Sequence, residues 1–423
     1  MIGIGILGCG TVASGVIRLL TTHQNTIRHR VGDEIVIRRV LARTPEKARA
    51  LGLSDDVITS DFGEIENDPE ISVVIELIGG VKDACDYISR ALRAKKHVVT
   101  ANKDLVATRF RELSALAAEN GVGFAFEASV GGGIPLIDSI RRTLAVNRID
   151  SILGILNGTT NYILTRMTKA GLSYAEALCE AQAQGFAEAD PTADVSGADA
   201  ARKIAILATL AFHTDVGFAD VTHEGIGSIT PADVRFAADT GYVFKLLGFA
   251  RQTDGGNAVF VRPALVPVSH PLASVSDAFN AVFLTGDAVG DVMLYGRGAG
   301  SLPTASAVVG DLMNLVTGVD RTLTTEDLSP LRALPIEETE SVYYVRLGVL
   351  DRPLVLSRVA AAFGEADVSV FSLVQESRKN GRAELFIVTH KAKEGQMRAA
   401  AEVLRRQDCV DEVAYWMMLE ENV

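Results

Sequence analysis

The chain has 423 residues and a formal net charge of −12, because 53 Asp and Glu outnumber 41 Lys and Arg. This acidic balance argues against non-specific binding to nucleic acid or to an anionic membrane surface, and the length predicts two or three domains. Four scattered cysteines without CxxC spacing, and no apolar run long enough to span a bilayer, predict a cytoplasmic protein with reduced thiols.

The first 150 residues alternate short apolar strands with helices, which is typical of βαβ units around a parallel sheet. The strand predicted at 2–7 runs through a GxGxxA junction into a helix at 11–22. Further strands are predicted at 35–42, 73–78, 97–100 and 122–127, with helices at 83–94 and 104–119.

The GxGxxA junction predicts a dinucleotide-binding turn. Gly8 permits the tight turn, Gly10 lets a pyrophosphate approach the backbone, and Ala13 packs the helix against the strand. The phosphates are expected at the start of the helix, at Thr11 and Val12, where free N–H groups favour anions. The alternative is a glycine turn with a purely structural role.

The second predicted strand ends without the acidic residue that usually binds the ribose 2′-hydroxyl of NAD. Arg43 stands there instead, and it could form a bidentate pair with a 2′-phosphate, helped by Lys47. NADP is therefore favoured over NAD, with a solvent-facing arginine as the alternative. Lys103 follows a parallel strand at its carboxyl end, where open α/β sheets bind ligands, and it is either a site residue or a surface lysine.

After residue 150 longer helices are predicted at 174–184 and 198–209, then strands at 242–250, 258–267 and 281–285 and a helix at 303–316. An acidic loop lies between the first two helices and contains Glu188 and Asp194. Asp199 and Lys203 are one turn apart on the next helix and share a face. In a cleft the ammonium could protonate a forming alkoxide while carboxylates hold a substrate ammonium. On a surface the same residues would form a weak ion pair.

Signatures of other chemistries are missing from the sequence. The seven histidines form no HExxH pair, and there is neither a GxSxG elbow nor a P-loop. A nicotinamide site with lysines and carboxylates, and without a metal cluster, predicts hydride transfer.

The C-terminal segment predicts a separate domain that follows a linker rich in Pro, Asp, Glu and Thr. Strands are predicted at 342–350, 368–375, 383–390 and 410–418, with helices at 354–365 and 394–406. The resulting βαββαβ order is the ferredoxin-like arrangement, and the segment is long enough to fold alone.

These motifs together resemble the homoserine dehydrogenase family, in its bacterial long form with a C-terminal ACT domain. The resemblance covers nearly the whole chain and is carried by the stretches 6–12, 76–80, 100–103, 126–135, 156–162 and 185–203. It implies NAD(P)H-dependent reduction of L-aspartate 4-semialdehyde to L-homoserine, a step toward threonine and methionine.

The resemblance implies an α/β chain of three domains joined by one linker. The implied boundaries are a Rossmann-type domain at 1–130 with 300–317 returning to it, an α+β substrate and dimerisation domain at 131–317, a linker at 318–341, and an ACT domain at 342–421. It also implies assembly into a homodimer or homotetramer.

Individual roles follow from the same resemblance. Lys203 is implied to donate a proton to the aldehyde oxygen, with Lys103 as its partner near the nicotinamide. Gly300 is implied to bind the cofactor, since the chain returns to the nucleotide-binding domain there. Four residues are implied to bind the amino-acid substrate: Gly185, Glu188, Asp194 and Asp199. A structural monovalent cation, usually sodium, is implied at the backbone carbonyls of four residues: Glu127, Val130, Gly132 and Ile134.

Two positions depart from the family pattern. Ala13 stands where glycine is common, a variant that still permits cofactor binding. ACT domains usually carry Asp-Arg-Pro-Gly at the first strand–helix turn, where a threonine-like effector approaches the backbone, and this chain has Leu354 in place of the glycine. A leucine there could obstruct the effector, in which case the domain would only assemble subunits through its sheet edges.

Two other functions fit part of the pattern. One is a different NADP-dependent amino-acid or semialdehyde dehydrogenase that shares the nucleotide domain, and it should tolerate loss of the acidic loop. The other is a non-catalytic sensor of NADP and an amino acid. Lys203 and Asp199 argue against the sensor, because a sensor needs no proton donor.

Overall fold

The computed structural model describes residues 1–319, 328–378 and 380–419. The strands are β1 Ile2–Leu7, β2 Ile35–Leu41, β3 Ile58–Thr59, β4 Ile71–Glu76, β5 His97–Thr100, β6 Phe124–Ala125, β7 Ile149–Ile155, β8 Thr214–Asp215, β9 Thr222–His223, β10 Tyr242–Thr253, β11 Gly256–Pro267, β12 Phe279–Gly286, β13 Gly290–Arg297, β14 Ser329–Pro330, β15 Glu340–Leu350, β16 Val370–Arg378, β17 Arg382–Thr389, β18 Ala392–Lys393 and β19 Val410–Met418. The helices are α1 Thr11–Thr22, α2 Gln24–Val31, α3 Pro45–Ala50, α4 Gly63–Glu66, α5 Lys82–Arg93, α6 Lys103–Asn120, α7 Leu136–Asp138, α8 Gly158–Ala170, α9 Tyr174–Ala183, α10 Thr192–Val195, α11 Ala198–Phe212, α12 Pro231–Asp239, α13 Ser301–Val316, α14 Val355–Glu365 and α15 Glu394–Arg405.

Most predicted elements are confirmed, with their ends shifted by a few residues. The strand predicted at 122–127 is wrong in length, since only β6 is extended and a 3-10 turn begins at Glu127. The strand predicted at 73–78 ends at Glu76, whose side chain accepts hydrogen bonds from the backbone N–H groups of Ile78 and Gly79 and so turns the chain. Helix α8 was not predicted. Residues 320–327 of the predicted linker and 420–421 of the predicted ACT domain lie outside the described residues.

The chain divides into two compact units. The first comprises Met1–Ile152, Arg202–Val221 and Phe279–Leu331, and the second comprises Leu153–Ala201, Thr222–Ala278 and Arg332–Val423. The domain boundaries drawn from the sequence at 130, 317 and 341 stay predictions.

The first unit contains the predicted parallel sheet, with strand order β3-β2-β1-β4-β5-β6. Its strand order changes direction between β1 and β4, and open α/β sheets bind ligands at the carboxyl ends of strands at such a point. Helices α1 and α13 pack on each other so closely that a Cβ at Gly15 would lie 2.5 Å from the Ser301 carbonyl oxygen. Buried Ile4, Val16 and Leu312 belong to the core between this helix pair and the sheet.

The second unit contains a sheet in which the βαββαβ strands continue a long hairpin. Strands β10 and β11 pair antiparallel along their full length, and β11 then pairs with β19 at Ala264–Met417 and Leu265–Met418. The order from there is β19-β15-β17-β16. The C-terminal strands and the β10–β11 hairpin therefore share hydrogen bonds and a core.

Two buried ion pairs reinforce this sheet. Arg262 of β11 lies 2.6 Å from Glu394 at the start of α15, and Arg346 of β15 lies 2.7 Å from Asp233 of α12. Burial alone would raise the pKa of Glu394, but the hydrogen bond and charge of Arg262, together with hydrogen bonds from Arg398 and Tyr415, lower it. Removing one partner of such a pair would cost about 3–5 kcal/mol, because the other charge would stay buried.

None of the described helices combines the length and the apolar character needed to cross a bilayer. The four cysteines are present as free thiols: Cys9, Cys85, Cys179 and Cys409.

Candidate active site

The GxGxxA junction forms a tight turn between β1 and α1. Gly8 has a φ of +103°, and a Cβ there would lie 2.9 Å from the Leu77 carbonyl oxygen, so only glycine fits without a shift of backbone. Gly10 is the N-cap of α1 and provides no side-chain cap, and buried Ala13 lies in the first turn. The first N–H groups of α1, at Thr11 and Val12, are therefore suited to an anion.

A cavity of about 400 Å³ lies against this turn in the first unit. Its lining brings Gly8 and Gly10 together with Arg43, Lys47 and Tyr87. The glycine turn and the two cations that the sequence assigned to one cofactor thus share a single cavity.

Arg43 is held loosely at this cavity. Its side chain is 84% exposed, and its Nη2 lies 3.2 Å from Asp83 Oδ2. An exposed pair of this kind contributes little to stability, so the guanidinium can exchange Asp83 for another anion at small cost.

Helix α13 begins beside the same turn. Gly300 is its N-cap, and the hydroxyl of Ser301 donates a hydrogen bond of 2.7 Å to the Thr11 carbonyl oxygen. Gly300, which was predicted to lie at the cofactor, is therefore next to a residue that contacts the start of α1.

Lys103 is the first residue of α6, directly after β5. A buried network shapes this edge of the sheet: Glu76 accepts 2.6 Å from the Thr100 hydroxyl, and Asn102 Nδ2 donates 2.6 Å to the Gly80 carbonyl. Asn102 also caps α6, since its side chain accepts from the Leu105 N–H at 3.1 Å. The carboxyl ends of β4 and β5 are therefore fixed around the position of Lys103.

Lys203 lies on α11 and is only 9% exposed. Its neighbour Arg202 pairs with Asp104, the residue after Lys103, with 2.6 Å between Nε and Oδ1. The Arg202 guanidinium also lies over the ring of Phe218, 4.3 Å from its centroid. Within the first unit, the first turn of α6 is thereby joined to the second turn of α11, and these turns carry the predicted catalytic lysines.

Two of the predicted substrate carboxylates meet in the second unit. Asn157 Nδ2 donates to Asp194 Oδ1 at 2.7 Å and to Asp199 Oδ2 at 2.8 Å. Asn157 is also the N-cap of α8, since its Oδ1 accepts from the Thr160 N–H at 2.8 Å. Asp199 is 3% exposed, whereas Asp194 is half-buried. Asn157 lies in the 156–162 stretch that carries the family resemblance and was not predicted to have a role, although an Asn before Gly-Thr-Thr is a recognisable N-cap signal.

The other two predicted substrate residues lie on the exposed part of the acidic loop. Gly185 follows α9, and among the described residues no hydrogen bond or ion pair engages the exposed side chain of Glu188. The loop is attached to α8 by Thr159, whose hydroxyl donates 2.6 Å to the Phe186 carbonyl. The structure therefore joins Asp194 to Asp199 through Asn157, and within the described residues neither Gly185 nor Glu188 is hydrogen-bonded to either acid.

The predicted cation turn has an unusual backbone. Gly131 and Gly132 have φ of +73° and +58°, and a Cβ on Gly132 would lie 2.6 Å from the Gly298 carbonyl oxygen. The Glu127 carboxylate is occupied by the backbone N–H groups of Ile137 and Asp138, at 2.9 and 2.7 Å, and burial raises its pKa. Two of the four predicted carbonyls also accept backbone hydrogen bonds, that of Glu127 from the Val130 N–H at 3.4 Å and that of Ile134 from the Leu136 N–H at 2.9 Å. Within the described ranges, no group of three His, Cys, Asp or Glu is arranged to hold a metal.

Comparisons with known proteins cover the full chain. The family model described as homoserine dehydrogenase matches residues 135–313, its NAD binding domain matches 8–127, and the ACT domain matches 343–409. A homoserine dehydrogenase of Bacillus subtilis is 42% identical over 427 residues, covering 100% of this chain and 99% of the relative.

The chain is also similar to solved structures of homoserine dehydrogenases. A homoserine dehydrogenase from Thiobacillus denitrificans has a TM-score of 0.94 at 39% identity, covering 99% of this chain and 98% of that one. A hyperthermophilic archaeal homoserine dehydrogenase in complex with NADPH has a TM-score of 0.65 at 25% identity, covering 76% of this chain and 99% of that one.

Proposed function

The chain belongs to the homoserine dehydrogenase family, and from this we propose how its own residues carry out the reaction. It is an NAD(P)-dependent oxidoreductase with a Rossmann-type nucleotide-binding domain and an ACT domain. The family reaction is reduction of L-aspartate 4-semialdehyde to L-homoserine in the aspartate pathway. One observation carries the assignment of roles: a buried lysine, Lys203, follows the buried carboxylate Asp199 by one turn of α11.

Lys203 is proposed as the proton donor. When bound, the nicotinamide cofactor supplies the hydride that reduces the aldehyde carbon. Negative charge develops on the aldehyde oxygen, and the Lys203 ammonium protonates that oxygen so that no alkoxide is left uncompensated. Lys103, at the carboxyl end of β5, is proposed as its partner near the nicotinamide.

The acidic residues are proposed to bind the amino-acid part of the substrate. Asp199 and Glu188 pair with its ammonium, with Gly185 alongside and Asp194 in support. The Asn157 link between Asp194 and Asp199 supports this assignment, because it concentrates negative charge at one point. The exposure of Glu188 is consistent with a residue that makes its contact only when substrate is bound.

NADP is proposed as the preferred cofactor, with NAD as a weaker alternative. The phosphates are placed at Gly8, Gly10 and the start of α1. Arg43 and Lys47 in the same cavity supply the positive charge that a 2′-phosphate requires. The solved archaeal relative in complex with NADPH adds support.

Two further assignments, a cation and an effector, are proposed from the family. A sodium ion is placed on the carbonyls of the Glu127–Ile134 turn, whose left-handed glycines rotate successive peptide units. The ACT domain is proposed to bind a small effector such as threonine, subject to the effect of Leu354. Assembly as a homodimer or homotetramer and a cytoplasmic location stay predictions.

The decisive experiment follows NADPH oxidation with L-aspartate 4-semialdehyde for wild type and Lys203→Ala. We expect kcat to fall by several orders of magnitude while the NADPH Kd, measured by fluorescence, changes little. Lys169→Ala, an exposed lysine at the end of α8, is the matched control. Near-normal turnover in Lys203→Ala would refute the proton-donor role, and NADPH binding without any turnover in wild type would favour a sensor.

A further inference from the structure

The carboxamide of Asn157 uses its whole hydrogen-bonding capacity. Its Nδ2 donates one N–H to Asp194 and the other to Asp199, at 2.7 and 2.8 Å. Its Oδ1 accepts from the Thr160 N–H at 2.8 Å and from the Thr160 hydroxyl at 3.0 Å. The side chain is 5% exposed, so these four bonds leave it no freedom to rotate.

Only one of the two flip orientations of the Asn157 carboxamide is stable. If the carboxamide flipped, Oδ1 would face two carboxylates and Nδ2 would face the Thr160 N–H, so attraction would be replaced by repulsion at both ends. The cap on α8 therefore determines which atom of Asn157 faces the acids.

Helix α8 is itself firmly anchored one turn later. Asn161 Nδ2 donates to the Asp277 carbonyl at 3.0 Å, and its Oδ1 accepts from Lys245 Nζ at 3.1 Å. A cap on an anchored helix can hold the two acids at a fixed separation.

Two carboxylates at short distance repel each other, and one of them tends to take up a proton. An amide that donates to both places positive hydrogens between them and offsets this repulsion. Without it, the acids would separate or one would become neutral, and either change would weaken attraction for an ammonium group.

We propose that Asn157 is a positioning residue for the substrate: it holds Asp194 and Asp199 together as one doubly charged receptor for the ammonium group of an amino-acid substrate. This rests on the proposed function, in which those acids bind the substrate. Asn157 acts through the two carboxylates and is not itself a catalytic residue.

The alternative is that Asn157 serves only as the N-cap of α8, and Asn157→Asp separates the two roles. Aspartate caps a helix as well as asparagine does, but it has no N–H to donate and adds a third negative charge. We expect the KM for L-aspartate 4-semialdehyde to rise at least about tenfold, with the NADPH Kd close to wild type. The unfolding temperature should fall, because the new carboxylate is buried beside two others. The acidic limb of kcat/KM against pH should move to higher pH, because the crowded carboxylates hold protons more tightly.

A second pair of variants keeps the test decisive if Asn157→Asp folds poorly. Asn157→Ser retains a capping oxygen without added charge, and a raised KM is expected there too. Combining Asn157→Asp with Asp194→Asn again places one amide among two carboxylates. The KM of this double variant should lie closer to wild type than that of Asn157→Asp. Ser173→Ala removes the N-cap of α9 in the same unit and should lower stability without changing KM.

Wild-type KM and pH profile in both Asn157→Asp and Asn157→Ser would overturn the proposal. Failure of the wild-type protein to turn over L-aspartate 4-semialdehyde would contradict the proposed function instead, so the two failures are distinguishable.

Discussion

Asp104 Oδ1 lies 2.6 Å from Arg202 Nε, so the residue after Lys103 is ion-paired with the residue before Lys203. Both partners are partly exposed, and a pair of this kind contributes at most about 1 kcal/mol to stability. Its larger effect is geometric, because it joins the first turn of α6 to the second turn of α11. Reacting groups that must meet within a fraction of an ångström are sensitive to such joints.

We expect Asp104→Asn to lower kcat about three- to tenfold while changing the free energy of unfolding by less than about 1 kcal/mol. The cofactor turn is distant in sequence and should be unaffected, so the KM for NADPH should stay near wild type. Glu112→Gln is the matched control, since it breaks the exposed Arg109–Glu112 pair further along the same helix. An unchanged kcat in Asp104→Asn would show that the pair does not position the lysines.

Arg43 and Asp83 give a test of cofactor choice. Arg43→Ala should raise the KM for NADPH about tenfold, because a charge-assisted contact to the 2′-phosphate is lost, and should leave the KM for NADH nearly unchanged. Asp83→Asn should do the opposite and lower the KM for NADPH, since it releases Arg43 from its present partner at 3.2 Å. Steady-state kinetics with each cofactor measures both effects.

Arg49→Ala is the control for this pair of variants. Arg49 is exposed on α3 and pairs with Asp55 at 2.7 Å, and it is not part of the cavity lining. Equal changes for NADPH and NADH in Arg43→Ala would remove Arg43 from the 2′-phosphate.

Much of the candidate cofactor site could be predicted from residues that are adjacent in sequence. The GxGxxA turn and Arg43 were predicted from a few adjacent residues, because strand–turn–helix chemistry is local, and the structure places them around one cavity. Helix α8 was missed because it opens with Gly158, Thr159 and Thr160, which are poor helix formers. Its stability comes from the Asn157 cap and from burial of most of its residues, and helix propensities include neither effect.

Contacts between distant parts of the chain lay beyond sequence reasoning. Asp104 and Arg202 are widely separated in sequence, and either one alone resembles an ordinary surface charge. The parallel pairing of β11 with β19 is equally hidden, since each strand has the same apolar pattern whatever its neighbour. Such contacts depend on topology, which the pattern of one segment does not specify.

Leu354 adopts a backbone conformation that suits glycine. Its φ is +72°, at the N-cap of α14, and the residue is 72% exposed. A left-handed conformation costs a residue with a Cβ about 1–2 kcal/mol, and an exposed leucine gains little from packing. The departure from the usual Asp-Arg-Pro-Gly turn is therefore also a point of backbone strain.

We expect Leu354→Gly to stabilise the protein by up to about 1 kcal/mol, since relief of strain exceeds the added flexibility of the unfolded chain. The same variant should bind threonine more tightly than wild type by calorimetry, because a side chain is removed from the turn that an effector approaches. Leu354→Ala keeps the Cβ and is the control for strain, so it should not gain stability. Equal threonine binding by wild type and Leu354→Gly would show that the leucine does not obstruct the effector.

Lys245 is a buried ammonium on β10 that donates to the Asn161 side-chain oxygen at 3.1 Å and to the Val275 carbonyl. Burial lowers its pKa from 10.5 to about 8, and the charge of Lys169 acts in the same direction. Between those two values the unfolded chain binds more protons than the folded chain. The free energy of unfolding contributed by this group therefore rises with pH across that window and is constant below it.

We expect the difference in unfolding free energy between wild type and Lys245→Met to shift in favour of wild type as pH rises from about 8 to 10.5, by at most about 3 kcal/mol. Denaturant titrations at several pH values measure it. Taking the difference cancels the contributions of buried tyrosines such as Tyr343, whose pKa burial raises. Lys82→Met, at an exposed lysine on α5, should show no such dependence relative to wild type. A difference between wild type and Lys245→Met that stays constant over this range would show that Lys245 keeps its proton in the folded protein, held by its two carbonyl acceptors.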